Sequence, residues 1–146
     1  MTKQHLKKMV FIMALMVAMV LPMGAFADDT IVADNQDNNI MPCMTYIEEW
    51  KNGLGISNGI ATVDCWVKGD VLNATKAKVI AELQLKSGNS WIAYGTWTST
   101  QNDYEAYVYK TKAVTEGHTY RIKATYTVWE GTQSESVVSY TDEVTA

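Results

Sequence analysis

The sequence predicts an all-β fold, and three observations indicate it. From residue 40 onward, apolar and polar residues alternate in short runs, a period of two that is typical of half-buried strands. Turn residues divide these runs at intervals of about ten residues. After residue 27 the apolar side chains are chiefly Val, Ile, Ala and Leu with five Trp and eight Tyr, a composition that favours sheets. No amphipathic helix pattern and no internal repeat accompanies these runs.

The first two predicted strands are separated by a tight turn at the Asn-Gly pair of residues 58–59. The first strand begins at residues 46–50 and resumes at residues 54–56, because Gly53 and Gly55 indicate a bulge or kink. The second strand follows the turn, and Trp66 lies in its outward set. Its inward set comprises Ala61, Val63, Cys65 and Val67.

The third and fourth predicted strands form a hairpin. Residues 77–86 show the clearest alternation in the chain, and the polar turn at residues 86–90 reverses the chain into residues 91–97. Trp91 and Trp97 are an even number of residues apart. We therefore expect both to share the core-facing side of the fourth strand, with Tyr94 on the opposite side.

The last three predicted strands cover residues 104–112, 120–128 and 135–141. In the first of them, lysines occupy even positions, so we expect the odd positions, with Tyr107 and Tyr109, to face the core and Val108 to face out. In the second, the apolar and aromatic even set faces inward, which leaves Trp129 in the outward set.

Seven strands of this length predict an antiparallel two-sheet β-sandwich of the immunoglobulin or fibronectin type III kind, with a closed barrel as the alternative. The spacing Val114-x-x-Gly117-x-x-Tyr120 favours the sandwich, because it matches a tyrosine corner at the start of the sixth strand. Ile122 stands where an antibody domain has its second cysteine. In the standard strand order the second and sixth strands belong to different sheets, so Trp66 and Trp129 are not expected to share one platform.

The first 27 residues predict a secretory signal peptide. Three lysines precede an uncharged apolar run at residues 9–20, and Ala25-Phe26-Ala27 provides the small-residue exit before Asp28. An uncleaved membrane anchor is the alternative, but Pro22 and Gly24 break the helix before the exit. We therefore expect a secreted, extracellular protein that has no membrane attachment after cleavage.

Removal of 27 of the 146 residues leaves 119, which suits one domain. Residues 28–39 contain four Asp, three Asn and no aromatic residue, so we expect a disordered acidic leader followed by the sandwich at residues 40–146. A calcium loop is the alternative for the leader, but the ligand spacing is missing. Without the three signal lysines, nine of the 12 basic residues remain against 16 acidic ones, a net charge of −7. This charge disfavours nucleic acid and anionic lipid as partners.

The chain has two cysteines, Cys43 and Cys65. Outside the cytosol such a pair can persist as one internal disulfide, which we expect here. The alternative is a buried thiol at Cys65 and a separate, exposed Cys43 that is able to pair two chains.

The sequence predicts no catalytic, cofactor or metal site and hence no enzyme. After residue 27 the only histidine is His118, in a turn, which leaves a nucleophile without a base and zinc without enough ligands. Carboxylates such as Glu82 lie in outward sets, where we expect solvated side chains rather than a glycosidase pair. The candidate ligand contacts are instead the outward tryptophans, Trp66 and Trp129, since exposed rings stack on sugars or anchor proteins. The alternative is that these rings cover a sheet edge or pack under the N-terminal segment.

Several strand and turn segments resemble those of an uncharacterised family of small secreted proteins from Gram-positive bacteria, which are single immunoglobulin-like sandwiches. The segments are residues 40–42 with 45–47, residues 56–62, Ser90-Trp91 with Trp97, and Gly117-x-x-Tyr120-Arg121-Ile122-Lys123. The resemblance implies an exported bacterial sandwich and carries over no catalytic or binding residue.

We therefore expect a non-catalytic recognition or adhesion module for a glycan or a protein. The alternative is a structural, self-associating component of the cell envelope or matrix. A contiguous exposed aromatic patch favours the first role, whereas a long flat edge strand favours the second.

Overall fold

The computed structural model describes residues 31–34 and 44–146. The remaining residues, which include the predicted signal peptide, most of the predicted leader and Cys43, lie outside the described part. All regular secondary structure in the described ranges is β, which confirms the predicted fold class. The strands are β1 (Ile31–Asp34), β2 (Ile47–Ser57), β3 (Ile60–Gly69), β4 (Lys76–Ser87), β5 (Ser90–Gln101), β6 (Glu105–Ala113), β7 (Thr119–Glu130), β8 (Gln133–Tyr140) and β9 (Val144–Thr145).

The strands form two antiparallel sheets. The first sheet has the order β1-β2-β3-β6, and the second has the order β5-β4-β7-β8, with β9 also pairing with β7. The chain crosses from one sheet to the other after β3, β5 and β6, as in a sandwich with Greek-key connections. Strand β1 lies within the segment that we expected to be disordered, and it pairs with β2 from Ile31–Ile56 to Asp34–Gly53.

The turn between β2 and β3 shows how local sequence sets the register. Asn58 and Gly59 both have positive φ angles, of 50° and 72°, as a two-residue hairpin turn requires. Ser57 consequently pairs with Ile60, and the pairing continues regularly back to Glu49 and Lys68. Gly53 and Gly55 therefore lie in a regular strand, and the irregularity of β2 is at Ile47–Glu49 instead.

The core lies between the two sheets, and β3, β4 and β7 contribute the inward sets that their alternation predicts. The predicted tyrosine corner is present: Tyr120 is fully buried, and its hydroxyl accepts a 3.0 Å hydrogen bond from the backbone N–H of Thr115. The largest fully buried side chains are Tyr120, Tyr126, Leu54, Leu83, Ile122, Val63, Val67, Val79, Val128 and Cys65.

Among the described residues Cys65 is a free and fully buried thiol, and its predicted partner, Cys43, lies outside them, so the predicted disulfide is not shown. The regular hairpin register places Asn52 directly opposite Cys65. The Cys65 side chain points between the sheets, so a bridge requires its partner to enter the core. Burial raises the pKa of Cys65 to about 12, partly offset by hydrogen bonding to Tyr126 and to the backbone of Gly53.

The expected facing of β6 is wrong. Ala106 and Val108 are buried, whereas Tyr107 and Tyr109 are 66% and 62% exposed. The lysines of the even set lie at the end of the strand rather than in the core. The ammonium group of one of them, Lys112, lies 5.0 Å from the Tyr94 ring centroid and caps the end of the sandwich.

The expectation that Trp91 and Trp97 share one face is also wrong, because β5 contains a bulge. Leu83 pairs with Gly95 and Gln84 pairs with Ala93, so Tyr94 is an extra residue without a partner. Trp97 pairs with the buried Ala81, but Trp91 pairs with the outward Lys86. The bulge turns Tyr94 inward, where its ring packs edge-on against Tyr120 at 5.4 Å.

Candidate functional site

Three aromatic side chains lie together on the outer face of the β1-β2-β3-β6 sheet. They are Trp66 on β3 and Tyr107 and Tyr109 on β6, and we call them the aromatic face. Trp66 and Tyr107 each lie between two buried neighbours and Tyr109 follows the buried Val108, so alternation directs all three rings outward. Trp66 pairs directly with Tyr107 across the two strands, and Tyr109 is the next outward residue of β6, opposite Asp64.

The spacing of these rings follows from the sheet. Directly paired residues have Cβ atoms about 4.5–5.5 Å apart, and successive outward residues of one strand are about 7 Å apart. The three rings therefore form one contiguous patch. Both tyrosines expose more than half of their surface, and Trp66 is partly exposed. Side chains held on two paired strands are positioned more rigidly than side chains on loops.

Polar and charged side chains surround the aromatic face. Lys51 on β2 pairs with Trp66 on the side opposite Tyr107, and its ammonium nitrogen lies 3.9 Å from a carboxylate oxygen of Asp64. Beyond Tyr109, Thr62 pairs with Thr111. Gly53 pairs with Asp64, and because glycine has no side chain, this neighbour leaves the Asp64 carboxylate uncovered. The arrangement is an apolar centre with hydrogen-bonding groups at its edge, as in many recognition sites.

The core beneath the aromatic face ties it to the second sheet. The Tyr126 hydroxyl of β7 donates a 2.6 Å hydrogen bond to the backbone carbonyl of Lys51, directly beside Trp66. Burial raises the pKa of Tyr126, and the neighbouring Cys65 thiol adds to the shift. Because the buried phenol keeps its proton, it serves as a permanent donor that fixes the position of β2.

Trp129, the other tryptophan that we predicted as a ligand contact, lies on the outer face of the second sheet. The ammonium nitrogen of Lys76 lies 4.0 Å from its ring centroid. As the strand order predicts, the structure does not bring Trp66 and Trp129 together. The companions of Trp66 are the two tyrosines whose facing we predicted wrongly. In the sequence, the apolar residues Ala106 and Val108 favour the observed facing, but Lys110 and Lys112 of the same set oppose it.

The carboxylates with shifted pKa values have structural partners. Burial raises the pKa of Glu135, but hydrogen bonds from the backbone N–H groups of Tyr46, Ile47 and Thr45 outweigh it, so the pKa lies below its usual value. The Asp70 pKa is lowered by the backbone N–H of Leu72 and the side chain of Asn73 in the β3–β4 connection. Both groups hold loops in place.

Neither described range contains a group of three or more His, Cys, Asp and Glu side chains placed to hold a metal ion. The same ranges contain no helix long and apolar enough to cross a membrane. Comparison of the chain with family models, with curated proteins and with solved structures gives no match.

Proposed function

We propose that this chain is an exported, non-catalytic recognition module and that its aromatic face binds a glycan. The observation that carries the proposal is the contiguous exposed patch of Trp66, Tyr107 and Tyr109 on two paired strands. Export is supported by the basic, apolar and small-residue segments of residues 1–27.

The chemistry of the aromatic face suits a sugar. Aromatic rings stack on the apolar faces of pyranose rings, while the surrounding hydroxyl, ammonium and carboxylate groups exchange hydrogen bonds with sugar hydroxyls. Tyr and Trp side chains have only two χ angles, so ordering them on binding costs little entropy. Lys51 and Asp64, which form an ion pair beside Trp66, supply a donor and an acceptor at the edge of the patch.

The size of the patch favours a glycan over a protein partner. A stable protein interface covers about 800 Å² on each side. A fully covered aromatic side chain contributes about 150–250 Å², and these three rings are already partly covered by the sheet. The aromatic face therefore matches a few sugar rings better than it matches a standard protein interface.

Self-association is the alternative role, and β6 is the strand to consider because it forms an edge of its sheet. The strand carries Glu105, Lys110 and Lys112 along its nine residues. The opposite sheet has the bulge at Tyr94 in its own edge strand, β5. Charges and bulges at edges are the features by which natural sheets avoid pairing with other chains, so recognition is the better supported role.

The test is a binding screen of the exported protein against neutral glycans, followed by alanine variants of the best ligand. We expect Trp66→Ala and Tyr107→Ala each to weaken binding by about tenfold or more, since central aromatic contacts dominate recognition. Trp129→Ala on the other sheet is the matched control and should retain affinity. Equal losses in Trp66→Ala and Trp129→Ala would contradict the proposal, as would sedimentation showing concentration-dependent assembly and no glycan binding.

A further inference from the structure

The basic residues of this acidic protein are concentrated on the outer face of the second sheet. Of the nine Lys and Arg residues after residue 27, five are outward residues of β4 and β7. Within the four long strands of that sheet, Glu82 is the only acidic residue in an outward position. We call these five the basic face; they are Lys76, Lys78, Lys86, Arg121 and Lys123.

At one end of the basic face, Arg121 is held in a fixed orientation. Its guanidinium carbon lies 4.1 Å from the Trp91 ring centroid and 4.6 Å from the Tyr140 ring centroid. Its Nε donates a 2.8 Å hydrogen bond to the side-chain carbonyl of Gln84, whose own amide donates to Glu82 at 2.6 Å. Within the described residues, the two terminal guanidinium nitrogens make no hydrogen bond or ion pair. They form a preorganised fork of the kind that binds carboxylate or phosphate.

The other cations extend from Arg121 along the sheet. Lys86, which also forms a 2.7 Å ion pair with Glu143, lies ten residues from Lys76 on β4, a distance of about 33 Å at 3.3 Å per residue. Lys78 and Lys123 lie between these ends, and the surface beside them carries hydroxyls such as those of Thr127 and Ser136, which are 2.8 Å apart. This row of cations is longer than any small anion. It matches an extended polymer with repeated negative charges.

The arrangement of the aromatic rings on the basic face indicates which class of polyanion it suits. Proteins that bind single-stranded nucleic acid need exposed rings on which bases stack. Here Lys76 covers Trp129, and Arg121 lies against both Trp91 and Tyr140, so these rings orient cations. A polymer of sugar or polyol units needs only the charges and the hydroxyls.

We propose that the basic face binds a linear anionic polysaccharide or polyol phosphate, through its carboxylate or phosphate groups, independently of the aromatic face. Residues 28–146 carry a net charge of −7, so the surface outside the basic face is acidic and repels polyanions. Binding is therefore confined to this sheet face, and it weakens as salt screens the charges.

The test measures binding of the exported protein to polygalacturonate, to poly(glycerol phosphate), and to dextran as the neutral control, at 50 and 200 mM NaCl. We expect binding to at least one of the two anionic polymers, with an affinity about tenfold lower at the higher salt concentration, whereas any binding of dextran to the aromatic face should not depend on salt. Preference between the two polymers distinguishes carboxylate from phosphate as the recognised group. Binding of the anionic polymers that does not depend on salt would overturn the proposal.

The variants separate the basic face from general charge. Arg121→Gln should weaken polyanion binding by about tenfold, and Arg121→Lys should restore only part of it because the fork is lost. Lys78→Gln leaves the stack of Arg121 on its rings intact and should weaken polyanion binding about threefold. It tests the basic face even if the Arg121 variants do not fold. Lys110→Gln on the other sheet should leave the affinity for the anionic polymers unchanged. Equal effects of Lys110→Gln and Lys78→Gln, or equally tight binding of oligo(dT), would refute the assignment.

Discussion

The hydroxyl of Tyr120 accepts a hydrogen bond from the backbone N–H of Thr115, five residues earlier in the chain. The Tyr120 ring is fully buried at the start of β7, whereas Thr115 is exposed in the connection from β6. This contact closes the crossing between the two sheets. It also places the Tyr120 ring against Tyr94 at the bulge of β5, so one side chain joins three parts of the sandwich.

Tyr120→Phe should lower the free energy of unfolding by about 1 kcal/mol, because it removes the acceptor of Thr115 and hardly changes the volume of the core. Water replaces part of the lost bond, since Thr115 is exposed. Tyr126→Phe removes a more deeply placed bond, 2.6 Å long, to the carbonyl of Lys51, and should cost more. Denaturant melts of the two variants and the parent measure both values. A larger loss for Tyr120→Phe than for Tyr126→Phe would contradict this ranking.

Cys65 should not react with iodoacetamide in the folded protein and should react fully in denaturant. Burial removes it from the reagent and raises its pKa to about 12, so the thiolate is scarce at neutral pH. At neutral pH the thiol is protonated in both the folded and the unfolded state, so the shift contributes nothing there; as the pH rises above the ordinary thiol value of 9.0, ionisation of the unfolded chain destabilises the fold. Mass spectrometry of the non-reduced, labelled protein counts the thiols. A mass lower than that of the fully reduced protein by two hydrogen atoms, with no labelling in denaturant, would show that Cys65 is in a disulfide.

Glu135→Gln should destabilise the protein at neutral pH and have little effect in acid. The Glu135 carboxylate accepts hydrogen bonds from the backbone N–H groups of Thr45, Tyr46 and Ile47 and thereby joins the start of β2 to β8. Charge-assisted bonds of this kind suggest a loss of about 1–2 kcal/mol.

The pH dependence identifies this interaction. Because the folded pKa of Glu135 is lowered, its contribution is present above the unfolded pKa of about 4.3 and is lost as the pH falls through the folded value. Denaturant melts at pH 7, 5 and 3 should show the parent and Glu135→Gln converging in acid. Glu116→Gln, in an exposed turn, is the control and should follow the parent throughout. A constant difference between the parent and Glu135→Gln would exclude the carboxylate as the cause.

Gly69→Ala should destabilise the sandwich by about 1–3 kcal/mol through overpacking. A Cβ atom at Gly69 would lie 2.5 Å from a methyl carbon of Val128 and 2.9 Å from the carbonyl oxygen of Tyr46. Gly53→Ala is the matched control in the neighbouring strand, where the nearest atom to a new Cβ lies 3.6 Å away. Thermal melts compare the two variants. Equal melting temperatures would mean that β3 has room at Gly69.

The aromatic face illustrates what needs the tertiary structure. The outward position of Trp66 follows from the alternation of β3, but both sets of β6 contain residues that suit a core. The pairing of β6 with β3 resolves this, because Ala106 and Val108 lie opposite Val67 and Cys65. Tyr107 and Tyr109 then join Trp66. The three rings come together because β3 pairs with β6, two segments about 40 residues apart in the chain. No local sequence pattern predicts that pairing.

By itself, the sequence determined the all-β class, the seven strands β2 to β8, the inward sets of β3, β4 and β7, and the corner at Tyr120, because period-two alternation and turn chemistry are local. Only the tertiary structure decided the faces of β5 and β6 and the state of Cys65. In β5, a single extra residue at Tyr94 reverses the facing of every residue before it, so Trp91 turns outward to Arg121 while Trp97 stays inward. A bulge is a property of strand pairing, and pairing is long-range.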